Sequence, residues 1–289
     1  MPKIKTAIFP VGGLGTRFLP ATKSMPKEMM PIANKPLVQY AFEEAKACGV
    51  EKFIFITGRN KNTIANHFDH AYELESKLDE AGKINEIKKV IGWMPSAGQI
   101  AFIRQQQPKG LGHAILCARN FIAQDEPFVV ILADELLMPS DSKGQLKLMI
   151  EKYSQNPLSS IIGVDEVAIE DVSKYGIIKI QNDDKIIDMV EKPQSSNAPS
   201  RYAINGRYIL QPKIFEYLES TTEGVGGEIQ LTDALKKMCG DYPFYFVKNP
   251  QARFDCGNVL GYLEANVAFA LNDAKISKDV QQMLKKYIN

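Results

Sequence analysis

The sequence predicts an α/β protein: a three-layer α/β/α sandwich around a mixed, mostly parallel central sheet. Three observations predict it. In the first half of the chain, short apolar runs alternate with stretches of helical period, the pattern of parallel strands joined by crossover helices. In the second half, strands follow one another across short polar turns, the mark of antiparallel additions to the same sheet. The composition is 45% apolar and 24% charged over 289 residues, which excludes a disordered or fibrous chain.

The elements follow in order. Lys3 to Val11 (KIKTAIFPV) is a buried strand that stops at glycines. Pro36 opens a helix in which Leu37, Tyr40, Ala41, Ala45 and Cys48 recur at helical spacing, and Gly49 closes it. Lys52 to Thr57 is a second strand, with a helix around Asn62 to Asp69; Tyr72 to Lys89 is a charged helical insertion. Phe102 to Gln105 is a third strand and Gly112 to Phe121 a helix; Pro127 to Ala133 is the fourth strand. Then come strands at Ser159 to Val164, Tyr175 to Gln181, Lys185 to Val190 and Tyr202 to Leu210, with Asn182-Asp183-Asp184 as one of the turns. Ser195 to Ser200 is a mobile loop by composition. Helices are expected at Pro212 to Glu219, Glu228 to Met238 and Gly257 to Ala270. Ligands of open parallel sheets sit beyond the C-terminal ends of the strands, so the informative loops are those after Val11, Gln105 and Ala133.

Charge narrows the class. Thirty-five Lys and Arg stand against thirty-four Asp and Glu, a formal charge of +1. That balance argues against nucleic acid or an anionic membrane as partner, and any anion must be held by a local cluster of cations. The strongest apolar run, Phe128 to Ala133, is far short of the ~20 residues that span a bilayer. The N-terminus has no h-region of a secretory signal; the expected setting is cytoplasmic. Cys48, Cys117, Cys239 and Cys256 are isolated and read as small buried apolar side chains. His67 and His70, three apart on one helix, read as a surface pair because no third ligand of matching spacing follows. Neither G-x-S-x-G nor H-E-x-x-H occurs.

The loop Val11-Gly12-Gly13-Leu14-Gly15-Thr16-Arg17 follows the first strand directly. Its glycines let backbone N–H groups approach phosphate oxygens, and Arg17 adds a forked cation. A Walker A loop needs Gly-Lys-Ser/Thr, whereas this one ends Gly-Thr-Arg. A Rossmann fingerprint needs an acid after the second strand, which here ends Thr57-Gly58-Arg59. Taken alone, the loop is as well read as a bare glycine turn. The stiff, basic Pro20 to Pro36 segment runs on from it and carries Lys23, Lys27 and Lys35. Arg17, Lys23 and Lys27 beside the loop donors would cradle a polyphosphate. A nucleoside triphosphate and a sugar phosphate together bring roughly six negative charges, which cannot meet without several cations and a metal.

G-G-L-G-T-R-F-L-P-A-T-K and P-K-E-M-M-P closely resemble the signature of the sugar nucleotidyltransferases, and the likeness runs the whole chain. It continues through R-Q-Q-Q-P-K-G-L-G-H-A, I-L-A-D-E-L, K-Y-G-I-I, V-E-K-P, N-G-R-Y-I-L, G-G-E-I-Q-L-T-D-A and R-F-D-C-G-N. The family usually has alanine where this chain has Gly12, and often two aspartates where this chain has Asp134-Glu135.

The resemblance implies a single domain of the nucleotide-diphospho-sugar transferase, Rossmann-like type. Residues 1–140 would form a nucleotide-binding half, 141–256 a sugar-phosphate half, and 257–289 C-terminal helices that meet another subunit of a dimer or tetramer. It implies UTP and glucose 1-phosphate as substrates and Mg²⁺ as cofactor. Gly12, Gly13 and the Gln105 amide would meet the uracil, with Gly110 closing over it and Gly15 and Thr16 completing the nucleotide site. Arg17 and Lys27 would stabilise the triphosphate and the departing pyrophosphate. Asp134 and Asp255 would ligate Mg²⁺; the bland alternative for each is a helix N-cap. Glu191 would bind sugar hydroxyls and Lys192 the sugar phosphate, with Tyr175, Gly176 and Gly206 nearby. Pro193 is expected to keep Lys192 extended and so aim its ammonium. Glu228, Gln230 and Asp233 sit at the start of one expected helix. Two alternatives stay open: a sister enzyme using another nucleotide such as dTTP, and a non-catalytic regulatory paralogue.

Overall fold

The computed structural model describes residues 3–139, 143–181, 184–224 and 227–287. The first half contains β1 (Thr6–Val11), the short pair β2 (Pro31–Ile32) and β3 (Lys35–Pro36), α1 (Leu37–Ala47), β4 (Lys52–Thr57), α2 (Asn62–His67), α3 (Tyr72–Glu80), α4 (Ile84–Ile91), β5 (Ile100–Arg104), α5 (Leu111–Leu116), β6 (Phe128–Ile131) and β7 (Glu135–Leu137). The rest contains α6 (Gln145–Gln155), β8 (Ser160–Glu166), β9 (Gly176–Ile180), β10 (Lys185–Glu191), β11 (Tyr202–Leu210), α7 (Ile214–Glu219), α8 (Leu231–Cys239), β12 (Phe244–Lys248), β13 (Arg253–Asp255), α9 (Val259–Asn272) and α10 (Ser277–Lys285).

Nine strands form one sheet in the order β5-β4-β1-β6-β11-β8-β12-β10-β9. The β5, β4, β1 and β6 strands are parallel. Beyond them β11 runs against both β6 and β8, and β10 runs against both β12 and β9. Only β11 and β10 therefore oppose the common strand direction, and the sheet is mixed. Alternate residues of the same strands feed two cores, as pleating requires. Ile8, Ile54 and Val130 pack with Ile115 of α5, Phe215 of α7 and Leu235 of α8. Ala7, Phe9, Phe53, Phe55 and Val129 pack with Phe42 of α1, Ile64 of α2 and Met149 of α6. Helices thus cover both faces. A smaller cluster joins Ile32, Leu136 and Phe254 to Ala265 and Phe269 of α9. Among the described residues no helix is long and apolar enough to cross a membrane.

Several expectations need correction. The β12 strand is absent from the sequence reading, and it pairs parallel to β8 from Phe244↔Ser160 to Lys248↔Val164, so the second half is not a purely antiparallel addition. The three-residue strands β7 and β13 were also not foreseen. The helix expected from Glu228 begins only at Leu231. The helix expected over Gly112 to Phe121 ends at Leu116, with a separate turn at Arg119–Phe121. The Gly257 helix starts at Val259, where Asn258 caps it by accepting from the Gly261 N–H. Ser195–Asn197 forms a one-turn helix, and Ser200 Oγ donates to the Ile178 carbonyl at 2.6 Å; hydrogen bonds tie this loop to the sheet. The turn at Asn182 and Asp183 lies outside the described residues. Cys256 alone of the four cysteines is fully buried. His67 is half-buried rather than at the surface, bonded to Gln39 at 3.0 Å and stacked on Trp93, while His70 pairs with Glu75.

Candidate active site

The glycine loop leaves the C-terminal end of β1, as the parallel architecture demands. Gly15 has φ 67°, a left-handed conformation open to glycine at little cost, and its carbonyl accepts from Thr22 Oγ1 at 2.7 Å. This folds the loop back on the Pro20–Pro36 segment. A Cβ at Gly13 would stand 3.8 Å from Lys27 Nζ, so the ammonium lies directly beside the loop backbone. Lys27 Nζ donates to Asp134 Oδ2 at 2.5 Å. Burial opposes the charge on Lys27, but Asp134 and Glu28 outweigh it and raise its pKa. Burial likewise opposes ionisation of Asp134, and Lys27 overcomes it, holding the carboxyl below its ordinary value.

The second carboxylate arrives through the small ribbon. In it β13 pairs antiparallel with β7, placing Asp255 opposite Glu135, and the Cys256 N–H donates to the Asp134 carbonyl at 2.8 Å. Asp255 Oδ1 accepts from Gly257 N at 2.9 Å. A Cβ built on Gly257 would lie 2.9 Å from Asp255 Oδ1, 3.2 Å from Asp134 Oδ2 and 3.7 Å from Arg17 Nη1. Both carboxylates and the arginine therefore converge on one point, which only a glycine leaves open. Neither aspartate is a helix cap. Arg17 also donates to the Gly257 carbonyl at 3.4 Å.

Glu135, the neighbour of Asp134, faces the other way into a cavity of about 200 Å³. Tyr175, Gly176, Glu191, Lys192 and Gly206, all expected at the sugar phosphate, line this cavity together with Gln230 and Thr232. Glu191 lies opposite Gly176 in the β9–β10 register and accepts from Thr232 Oγ1 at 2.6 Å. Gly206 has φ 81°, and a Cβ there would meet Leu132 Cβ at 2.9 Å. Lys192 departs from expectation: its φ is 46°, so the residue before Pro193 is left-handed and not extended. The Lys192 N–H donates to the Tyr175 carbonyl at 3.0 Å. That bond helps hold Lys192, at the cavity lining, in a conformation that costs a non-glycine residue of order 1–3 kcal/mol.

Across the glycine loop, Gln105, expected at the base, is buried just beyond β5. Its Nε2 donates to the Gly110 carbonyl at 3.1 Å and lies 2.9 Å from His113 Nδ1. Its Oε1 faces Gly12, where a Cβ would approach to 3.2 Å. Gly110 has φ 93° and packs against Glu228. Thr16 lies exposed on the short turn that carries Arg17.

Two expected groups stand apart. Lys23 is exposed on the turn Ala21–Lys23. Asp233 points at Gly224 rather than at the cavity. Lys35, outside the expected cradle, pairs with Glu43 at 2.6 Å, and Glu228 and Gln230 precede α8 instead of opening it.

Three groups were missed. Glu28 and Lys61 form an ion pair at 2.7 Å, with side chains only 2% and 8% exposed, behind the glycine loop. Burial raises the Glu28 pKa against the pull of Lys61 and Lys27. Arg253 binds Glu135 Oε2 at 2.7 Å and Asp165 at 2.9 Å and lies over the Tyr175 ring, so it ties the carboxylate ribbon to the Glu191–Lys192 cavity. Burial pushes Glu135 up to about 7, with Arg253 pulling the other way. Of these, the arginine had a signal, since it opens the R-F-D-C-G-N motif. Lys61 stands alone after a strand, and nothing local marks its partner.

A carboxylate pair and two cations over a glycine loop, opening beside a sugar-sized cavity, define an enzyme class that joins a nucleotide to a second phosphate ester. The chain belongs to the nucleotidyl transferase family, whose model matches residues 6–271. It is 43% identical to the UTP–glucose-1-phosphate uridylyltransferase of Bacillus subtilis (strain 168), over 100% of this chain and 99% of that one. A UTP-bound UGPase from Acinetobacter baumannii superposes with a TM-score of 0.90 at 35% identity, covering 97% and 98% of the two chains. A UDP-glucose pyrophosphorylase complexed with UDP-glucose gives 0.82 at 44% identity, covering 92% and 98%.

Proposed function

We propose that the chain transfers the uridylyl group of UTP to glucose 1-phosphate, releasing pyrophosphate and forming UDP-glucose. The observation that carries this reading is the convergence of Arg17, Lys27, Asp134 and Asp255 on one side of Glu135, with the Glu191–Lys192 cavity on the other. The activity in the names of the full-length relatives supports it.

In this reading Gly12, Gly13, Gln105 and Gly110 meet the uracil, and the N–H groups of Gly15 and Thr16 meet phosphate oxygens. A phosphate oxygen of glucose 1-phosphate attacks the α-phosphorus of UTP in line. That phosphate is already ionised near neutral pH, so positioning and charge stabilisation carry the catalysis. Arg17 and Lys27 neutralise the triphosphate and the leaving pyrophosphate. Lys192 aligns the attacking phosphate, and Glu191, with Tyr175, Gly176 and Gly206, binds the sugar. Asp134 and Asp255 fit Mg²⁺, because Asp134 Oδ2 and Asp255 Oδ1 both lie within about 3.2 Å of the Cβ position at Gly257, and among the described residues no histidine or cysteine joins them to make a nitrogen- or sulfur-ligated site. Mg²⁺ is commonly held by one or two carboxylates, with phosphates and waters completing the shell. When bound, it supplies positive charge to the phosphate oxygens.

The same reading includes a three-layer arrangement, supported by the two cores on opposite sheet faces, and the division into nucleotide and sugar-phosphate halves. It includes a cytoplasmic setting, in keeping with two water-soluble phosphorylated substrates. It also includes a dimer or tetramer, supported by the exposed Leu260, Leu263 and Val267 on α9.

Pyrophosphate release measured with glucose 1-phosphate and UTP, dTTP or CTP in turn tests the proposal. UTP should give the highest kcat/KM. A higher value with dTTP would replace it with the thymidylyl reading, and no release with any nucleotide would favour a regulatory role.

A further inference from the structure

We propose that the Tyr208 hydroxyl binds a hydroxyl of the glucosyl group, as the donor that complements the acceptor Glu191. The proposal rests on the reading of the Glu191–Lys192 cavity as the sugar site and adds a residue to it. Tyr208 lies on β11, where Ile204, Gly206 and Tyr208 alternate with residues of the opposite face, and all three line the cavity. Its ring belongs to the core that holds Ile214, Phe215 and Leu235, and the residue is only 5% exposed. A tyrosine hydroxyl so deeply buried usually has a hydrogen-bond partner. Among the described residues this one has none, although it borders the cavity. Glu191 and Glu135 stand close enough to act on it through their charge. Burial, reinforced by those two carboxylates, raises its pKa and keeps it a neutral phenol.

The cavity therefore holds two complementary groups. A carboxylate only accepts, whereas a phenol donates and accepts. Glu191 Oε2 already accepts from Thr232 Oγ1 at 2.6 Å. A sugar hydroxyl carries one hydrogen and two lone pairs, so satisfying it takes a donor as well as an acceptor. Glu191 supplies the acceptor, and Tyr208 supplies a neutral donor that leaves the Lys192 ammonium to the phosphate. A buried hydroxyl without a protein partner costs the fold free energy, and a bound sugar hydroxyl offsets that cost. The oxygen of Tyr208 thus serves the ligand, while its ring serves the core.

Tyr208→Phe tests the division, since it keeps the ring and removes the oxygen. In the intact enzyme the KM for glucose 1-phosphate should rise about five- to tenfold, the scale of one hydrogen bond to a buried group. The KM for UTP and kcat should hardly change. The melting temperature without substrate should stay level or rise, because the lost hydroxyl had no partner to leave stranded. A lower melting temperature with both KM values raised would show a structural role and overturn the proposal, as would an unchanged KM for glucose 1-phosphate. The 2-, 3-, 4- and 6-deoxyglucose 1-phosphates then locate the contact. For one of them the phenylalanine variant and the wild type should have equal KM, since the contacted hydroxyl is missing already. If the penalties of variant and analogue multiply for all four, Tyr208 meets no sugar hydroxyl and the proposal fails while the sugar reading of the cavity stands. If the wild type does not discriminate glucose 1-phosphate from any of the four analogues, the sugar reading itself fails, and the proposal with it.

Discussion

The glycine-loop end and the Glu191–Lys192 end of the cleft, proposed as its phosphate and sugar ends, hold their lysines in opposite ways. At the phosphate end Lys27 is clamped to Asp134 at 2.5 Å, and behind it the Glu28–Lys61 pair is almost wholly removed from water. At the sugar end the Lys192 side chain is 50% exposed, its ammonium is 3.6 Å from Glu191, and its backbone is left-handed. One end spends folding energy on a preset lattice of charges. The other keeps an exposed cation that is not locked in a strong internal pair, as the proposed capture of the sugar phosphate requires. The difference teaches where substitutions damage the fold and where they damage only affinity.

Glu28→Gln should break the comparison hardest. Removing one partner of a buried pair strands the other charge, at a cost of about 3–5 kcal/mol, read as a lower midpoint in urea. Replacing both partners with apolar residues, Glu28→Leu with Lys61→Met, should recover most of that stability. Breaking the exposed Lys77–Glu73 pair should cost under about 1 kcal/mol. Next comes Asp134→Asn, which removes the carboxylate shared by Lys27 and the expected metal site. Turnover should fall on the order of 10²–10³-fold, the scale of losing one preorganised electrostatic group, with the fold retained by circular dichroism. Near-normal steady-state turnover in a folded variant would contradict the assigned role.

Lys192→Ala should raise the KM for glucose 1-phosphate about tenfold, the order expected for one charge-assisted hydrogen bond, and leave the melting temperature unchanged. A loss confined to UTP affinity would put this lysine at the wrong end. The smallest effect is expected from Gly12→Ala. The new methyl would stand 3.2 Å from Gln105 Oε1, a contact that a small shift relieves, so the KM for UTP should move less than about threefold. A larger change would mean that the amide has no freedom to yield, which extends the rigidity of the Lys27 end to the proposed base site.

Much of this was legible locally. Alternation of apolar runs announced β1, β4, β5 and β6, and the glycine loop declared itself by following a strand. The short ribbon was not legible, because three-residue strands such as Arg253–Asp255 carry no period of their own and exist only through pairing. The β12 strand, Phe244–Lys248, escaped for a related reason: its direction is set by β8, remote in sequence. The left-handed backbone at Lys192 contradicts the local preference of a residue before proline and is held by the Tyr175 carbonyl.

By itself the sequence determined the α/β class, the family likeness and the residue types able to handle phosphate, because periodicity, glycine content and motif order are local properties of the chain. The tertiary structure alone decided that Lys27 faces Asp134 while Lys35 turns to Glu43, and that Lys61 neutralises Glu28. Such pairings depend on burial and on distances between segments far apart in the chain. No local pattern encodes them, and Coulomb and desolvation terms act only once the fold has set those distances.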